Sequence, residues 1–130
     1  MYALDTSTVV DYLRGRGRVA ERLLDTPSRE VAISTIVLYE LELGAEKGGA
    51  TAERRAELDE LFQTMTLLPF GEPEAKAAAR IRADLESRGL PIGPYDVLIA
   101  ATALARGAIL VTHNTEEFSR VAGLRLEDWY

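Results

Sequence analysis

The sequence predicts an α/β fold in which helices cover both faces of a central parallel sheet. Three observations carry this. Short apolar runs at Tyr2-Ala3-Leu4, Val31-Ala32-Ile33, Thr66-Leu67-Leu68-Pro69-Phe70 and Ala108-Ile109-Leu110-Val111 alternate with longer segments of helical period. Within Tyr95 to Arg106, Val97-Leu98-Ile99-Ala100-Ala101 is apolar all round, as a helix buried against a sheet must be. Strands separated by helices imply right-handed crossovers, which make the strands parallel and place ligand sites beyond their carboxyl ends.

Taken in order, Thr6, Ser7 and Thr8 follow the first strand and offer N-cap oxygens to a helix through Val9, Val10, Tyr12 and Leu13, closed by Gly15 and Gly17. Val19 to Leu24 is a second short helix. After the second strand, Ser34 or Thr35 caps a longer helix that runs to Gly48-Gly49, so Asp5 and Ser34 hold equivalent strand-exit positions. Thr51 to Phe62, with Leu58, Leu61 and Phe62 at helical spacing, forms the next helix, part of a helical hairpin. Glu72 to Arg88 is Ala-rich with Ile81 and Leu85 on one face, Gly89 stops it, and Pro91-Ile92-Gly93-Pro94 turns the chain into the apolar helix. The tail from Gly123 to Trp129 reads as a short edge strand that closes the sheet.

With 130 residues, 47% of them hydrophobic, the chain is expected to form a single domain over 1–130 that buries roughly two-thirds of its unfolded surface. The absence of Cys excludes thiolate zinc sites, disulfide frameworks and thiol nucleophiles together. No apolar run approaches the roughly 18 residues of a membrane span, and no basic-then-apolar signal precedes Tyr2; a soluble, cytoplasmic protein is expected. A net charge of −6 argues against nonspecific nucleic-acid binding. Local clusters of Arg14, Arg16 and Arg18, and of Lys47, Arg54 and Arg55, are nevertheless candidates for a phosphate track, with solvated helix faces as the plainer alternative.

Asp5, Glu40 and Asp96 interrupt otherwise oily segments far apart in sequence. Ionised carboxylates near a core need a cation or a proton to neutralise them, and hard oxygen donors select Mg²⁺ or Mn²⁺. Each also has a structural reading: Asp5 as a helix cap, Asp96 as compensation for a helix dipole, Glu40 as an ordinary helix charge. His113, the only histidine, lacks the partners that zinc or triad chemistry requires and reads as a loop residue near the site. Thr112, Asn114 and Glu117 bring further oxygens to the same segment, either to orient a site water or to form the loop and cap a short helix containing Phe118. Asp5-Thr6-Ser7-Thr8-Val9 partly matches the opening of haloacid-dehalogenase-type phosphatases, but Ser7 stands where their second Asp belongs.

Four blocks, in this order, resemble PIN-domain nucleases of the VapC type: Asp5-Thr6 after a short strand; Ser34 through Glu40-Leu41 to Gly44; Pro91-Ile92-Gly93-Pro94-Tyr95-Asp96 with Ile99-Ala100-Ala101; and Leu110-Val111-Thr112-His113-Asn114 through Glu117-Phe118. The resemblance extends through Gly123-Leu124 and Asp128-Trp129. It implies a PIN-like three-layer sandwich and the toxin of a type II toxin–antitoxin system, acting as a Mg²⁺- or Mn²⁺-dependent endoribonuclease on RNA such as a tRNA anticodon loop. The implied catalytic set is Asp5, Glu40 and Asp96. Asp5 and Asp96 hold the metal, Glu40 positions a water or the metal's outer shell, and Thr6, Ser34, Thr112, Asn114 and Glu117 support them. Implied partners are a second copy of the chain and a VapB-like antitoxin that carries the assembly onto operator DNA. An antitoxin segment is expected in a groove lined by Val9 to Leu13, Ile36 to Leu43, Leu58, Leu61 and Phe62, with an Arg or Lys placed among the carboxylates. Ser7 departs from the usual Asn, and Asn114 from a fourth acidic residue for which Glu117 is a substitute. The alternative function is a non-catalytic, antitoxin-binding module that serves operator autoregulation.

Overall fold

In the computed structural model, which describes residues 1–130, five short strands form one wholly parallel sheet in the order β3-β2-β1-β4-β5. The strands are β1 (Tyr2–Leu4), β2 (Val31–Ser34), β3 (Thr66–Leu68), β4 (Ile109–Val111) and β5 (Leu126–Glu127). Their carboxyl ends lie level: Leu4 pairs with Val111, Ser34 with Leu68, and Val111 with Glu127. Between them run α1 (Thr6–Leu13), α2 (Val19–Leu24), α3 (Thr35–Gly48), α4 (Ala52–Thr64), α5 (Glu72–Ser87), α6 (Pro94–Ala105) and α7 (Thr115–Phe118). The chain first steps from β1 through β2 to β3, then returns to lay β4 and β5 on the other side of β1. Right-handed crossovers therefore put α1 to α4 on one face and α5 to α7 on the other, with the reversal between β1 and β4. No helix is long and apolar enough to cross a membrane.

The expected elements are present with local differences. The N-cap of α1 is Asp5, not one of the three hydroxyl residues after it: its backbone is extended, and its Oδ1 accepts from Thr8 N at 2.8 Å. Ser34 is the last residue of β2 and caps α3, and Gly49, at φ +61°, closes that helix in the left-handed conformation. The third strand ends at Leu68 because Pro69 has no N–H to continue the ladder. All four residues of β2 are buried, and one apolar cluster joins Leu4, Ile33 and Leu110 of the sheet to Val9, Val37, Ile81, Leu85 and Ile99 of the helices.

The edge strand continues into a clasp over α1 and α2. Trp129, 2% exposed, accepts at its carbonyl from Arg18 N and donates from Nε1 to Glu127, which also pairs with Arg22. Gly17 sits at φ +61° with Tyr130 so close that a Cβ would lie 2.6 Å from its backbone, whereas Gly15, at φ +65°, faces open space. Gly15→Ala should cost on the order of 1 kcal/mol from backbone strain alone, and Gly17→Ala roughly 1–3 kcal/mol more because the tail must move. Urea unfolding of the two variants side by side checks the difference.

Candidate active site at the carboxyl edge of the sheet

The level strand ends deliver the site. Asp5 leaves β1 with its N–H donating to Val111 O at 3.0 Å, and Thr8 Oγ1 donates to that same carbonyl at 3.0 Å, so the exit of β1 is stitched to the end of β4. The Asp5 carboxylate is 4% exposed and is held by Thr8 N and by the Ser7 hydroxyl, 3.1 Å from each of its oxygens. Asp5 is therefore the N-cap of α1, one of the two readings that the sequence left open. Ser7, where an Asn was expected, keeps a donor on the carboxylate.

Glu40 lies half-buried on α3, where Thr6 Oγ1 donates to its Oε1 at 2.7 Å and ties α1 to α3. Asp96 is half-buried in the first turn of α6. Gly93 makes room for it, since a Cβ there would lie 3.3 Å from Asp96 Oδ2. Burial, followed by the charges of Glu40, Asp5 and Glu117, pushes the Asp96 carboxyl up from 3.8 to about 6. Asp5, Glu40 and Glu117 are thus near enough to Asp96 for their charges to act on it.

The supporting residues divide into two kinds. Ser34 Oγ accepts from Val37 N at 3.1 Å and Thr112 Oγ1 from Asn114 N at 3.0 Å, so these two buried hydroxyls are committed to shaping the backbone that carries Glu40 and Asn114. Asn114 Nδ2 donates to Glu117 Oε2 at 3.2 Å, which makes the two a bonded unit instead of alternatives for one role. Asn114 stands at the N-cap of α7 without making a side-chain cap bond. His113 is engaged elsewhere: Nδ1 lies 3.0 Å from Asp128 Oδ2, and the ring stacks on Tyr130 at 4.2 Å.

No Lys or Arg forms an ion pair with Asp5, Glu40, Asp96 or Glu117. A partly buried, all-oxygen donor set without a protein cation fits a hard divalent ion. No three His, Asp or Glu side chains are arranged to hold an ion between them. Glu42, the expected bystander, pairs with Arg55 at 3.6 Å. Of the basic clusters, Arg18, Arg54 and Arg55 are taken up by Glu21, Glu57 and Glu46, leaving Arg14, Arg16 and Lys47 without ion pairs.

Beside the carboxylates, a groove of about 290 Å³ between α1, α3 and α4 is lined by Val10, Leu13, Leu41 and Leu58, with Arg14 and Arg54 also on its wall and Thr6 and Glu40 at its site end. Of the apolar residues expected in it, only these four are there; Val9 and Val37 are buried in the core, and Ile36 and Leu38 pack against it. Leu61 turns to a separate apolar cavity with Tyr12, Leu23 and Met65, and Phe62 packs on the core. The helical period put both on one apolar face with Leu58, but that face of α4 is shared among the groove, the second cavity and the core. Thr6 as the link to Glu40, Gly93 as the clearance for Asp96, and an edge-to-face pair of Tyr39 with Tyr95 were not singled out from the sequence.

A parallel sheet whose switch point carries such an acidic edge is the layout of a PIN domain, and the family model described as PIN domain matches residues 2–124; the chain belongs to that family. Within it, the chain falls among the VapC ribonucleases. It is 34% identical over 128 residues to the tRNA(fMet)-specific endonuclease VapC of Salmonella typhimurium, covering 98% of this chain and 97% of that one. It is 33% identical to Ribonuclease VapC2 of Haemophilus influenzae with the same coverage. Among solved structures, VapBC2 from Rickettsia felis bound to a DNA fragment from its promoter superposes with a TM-score of 0.92 at 33% identity, over 99% of this chain and 98% of that one.

The raised Asp96 carboxyl fixes the sign of a pH effect. Its folded value lies above the ordinary 3.8, so ionisation costs stability: the cost is absent at lower pH, grows through the interval and is complete above about pH 6. In chelator-containing buffer, Asp96→Asn should be more stable than the parent at pH 7.5, and the advantage should vanish near pH 4 in urea titrations. At Asp5 the cap separates two variants: Asp5→Ala should lose about 1 kcal/mol, and Asp5→Asn, which keeps the acceptor, much less.

Proposed function

We propose that residues 1–130 act as a single PIN domain, the toxin of a type II toxin–antitoxin pair, and cut RNA with Mg²⁺ or Mn²⁺ at the Asp5, Glu40 and Asp96 centre. The observation that carries this reading is the crowding of carboxylates around a half-buried Asp96 raised to about 6, with no basic side chain paired to any of them. Asp5 and Asp96 are the residues that would hold the cation. When bound, it supplies charge neutralisation for the phosphate and lowers the pKa of the attacking water. Glu40, fixed by Thr6, accepts a hydrogen bond from that water and orients it for in-line attack. Asn114 and Glu117 complete the acidic rim, and Ser34 and Thr112 hold the backbone beneath it. No side-chain nucleophile is needed, in keeping with the absence of Cys and the engagement of His113 with Asp128.

The name of the Salmonella relative supports a tRNA as substrate, with the unpaired anticodon loop as the accessible target. VapBC complexes, some on promoter DNA, support a VapB-like antitoxin and an assembly that reaches operator DNA through it, in which the toxin is proposed to pair as a homodimer. The groove that ends at Glu40 suits an antitoxin segment whose Arg or Lys enters the carboxylates. Such a system works in the bacterial cytoplasm, where its RNA is. The names of the relatives, endonuclease and ribonuclease, favour catalysis over a non-catalytic module that only binds antitoxin for autoregulation.

RNA cleavage by the purified protein should require Mg²⁺ or Mn²⁺ and stop with EDTA. Asp5→Asn and Asp96→Asn should each lose more than about a hundredfold in rate, Glu40→Gln roughly 10–100-fold, and Glu42→Gln almost nothing. Full activity of Asp96→Asn on an RNA that the parent cleaves would refute the assignment. Mn²⁺ at about a hundred times its Kd should add about 2.7 kcal/mol to the parent's stability and much less to that of Asp96→Asn, measured by thermal unfolding.

A further inference from the structure

Two tyrosines stand apart from the other aromatic residues. Tyr2 and Tyr12 pack on the core, and Tyr130 stacks on His113. Tyr39 and Tyr95 belong to neither group: they are 46% and 44% exposed and meet edge to face, with ring centroids 5.6 Å apart and planes at 60°. The contact bridges α3 and α6, the two helices that carry Glu40 and Asp96, and each ring immediately precedes one of those carboxylates. Neighbouring residues on a helix point about 100° apart, so each ring occupies the helix face next to the one that carries Glu40 or Asp96. An edge-to-face pair leaves ring surface open to solvent while each ring limits the other's rotation.

A strand of RNA cut at the acidic centre has a nucleobase on either side of the scissile phosphate. Aromatic faces hold unpaired bases by stacking, without demanding a particular sequence, and a base already stacked in a duplex is not available to them. We propose that Tyr39 and Tyr95 form a stacking platform for the unpaired nucleobase next to the scissile phosphate, which makes them positioning residues and directs the enzyme to single-stranded or loop RNA. The proposal rests on the nuclease reading of the acidic centre.

The test uses the full chain, an unstructured RNA that it cleaves, and the same RNA with an abasic nucleotide beside the cut. Tyr39→Ala and Tyr95→Ala should each raise KM by roughly tenfold or more with kcat nearly unchanged, and Tyr39→Phe and Tyr95→Phe should restore it, because stacking needs the ring and not the hydroxyl. The abasic RNA should cost the parent a similar factor and cost Tyr95→Ala nothing further. Unchanged KM in both Ala variants, or losses from the abasic site and from Tyr95→Ala that simply multiply, would overturn the platform. So would a halving of the mass of the Ala variants in sedimentation, with KM following the oligomeric state, since the rings would then join two copies of the chain. A parent that cleaves no RNA at all would overturn the nuclease reading, and the platform with it.

Discussion

Every strand of the sheet points the same way, and their ends are level; the rest of the molecule depends on that constraint. Whatever follows a strand is delivered to one edge, and the reversal of strand order between β1 and β4 opens that edge instead of closing it. Asp5 arrives there directly from β1 and the Thr112 to Glu117 segment directly from β4. Glu40 and Asp96 come one step later, on α3 and α6, whose first turns begin at the same edge. Carboxylates that are 21 to 112 positions apart in the chain come to one edge without any long loop to gather them.

The arrangement is electrostatically unfavourable on its own. A half-buried carboxyl beside three others resists ionisation, and the protein supplies no basic side chain to relieve it. Part of the cost is offset locally: the Asp5 carboxylate serves as the cap of α1, and Thr6 hydrogen-bonds Glu40. What remains is a standing preference for a cation. In the proposed function, catalysis and its suppression would draw on that same charge, with the groove that ends at Glu40 as the route for a peptide.

The sequence disclosed the fold because its signals are local: apolar runs, cap residues and glycine stops lie within a few residues of what they determine, and β5 was visible as a short apolar tail. It disclosed the three carboxylates for a related reason, since each breaks an apolar stretch. What it did not disclose depends on partners distant in the chain. Thr6 meets Glu40 across 34 positions, and nothing near Thr6 announces it. The sequence left Asp5 open between cap and ligand, yet one oxygen accepts the cap bond while the carboxylate still faces Asp96 as a charge. Leu61 shared a helical face with Leu58, but the packing of α4 against α1 and α3 sends the two side chains to different cavities. Asn114 and Glu117 looked like competitors for one role, and their hydrogen bond makes them cooperate.

The central claim is that Asp96 is crowded by carboxylates and awaits a cation. Carbon-detected NMR titration of the Asp96 side chain, in chelator and then in Mg²⁺, tests it most directly. The account predicts a carboxyl that titrates near 6 without the ion, and whose titration moves well below that when Mg²⁺ is added. A carboxyl that titrates near the ordinary 3.8 in chelator, or one that Mg²⁺ leaves unmoved, would contradict it.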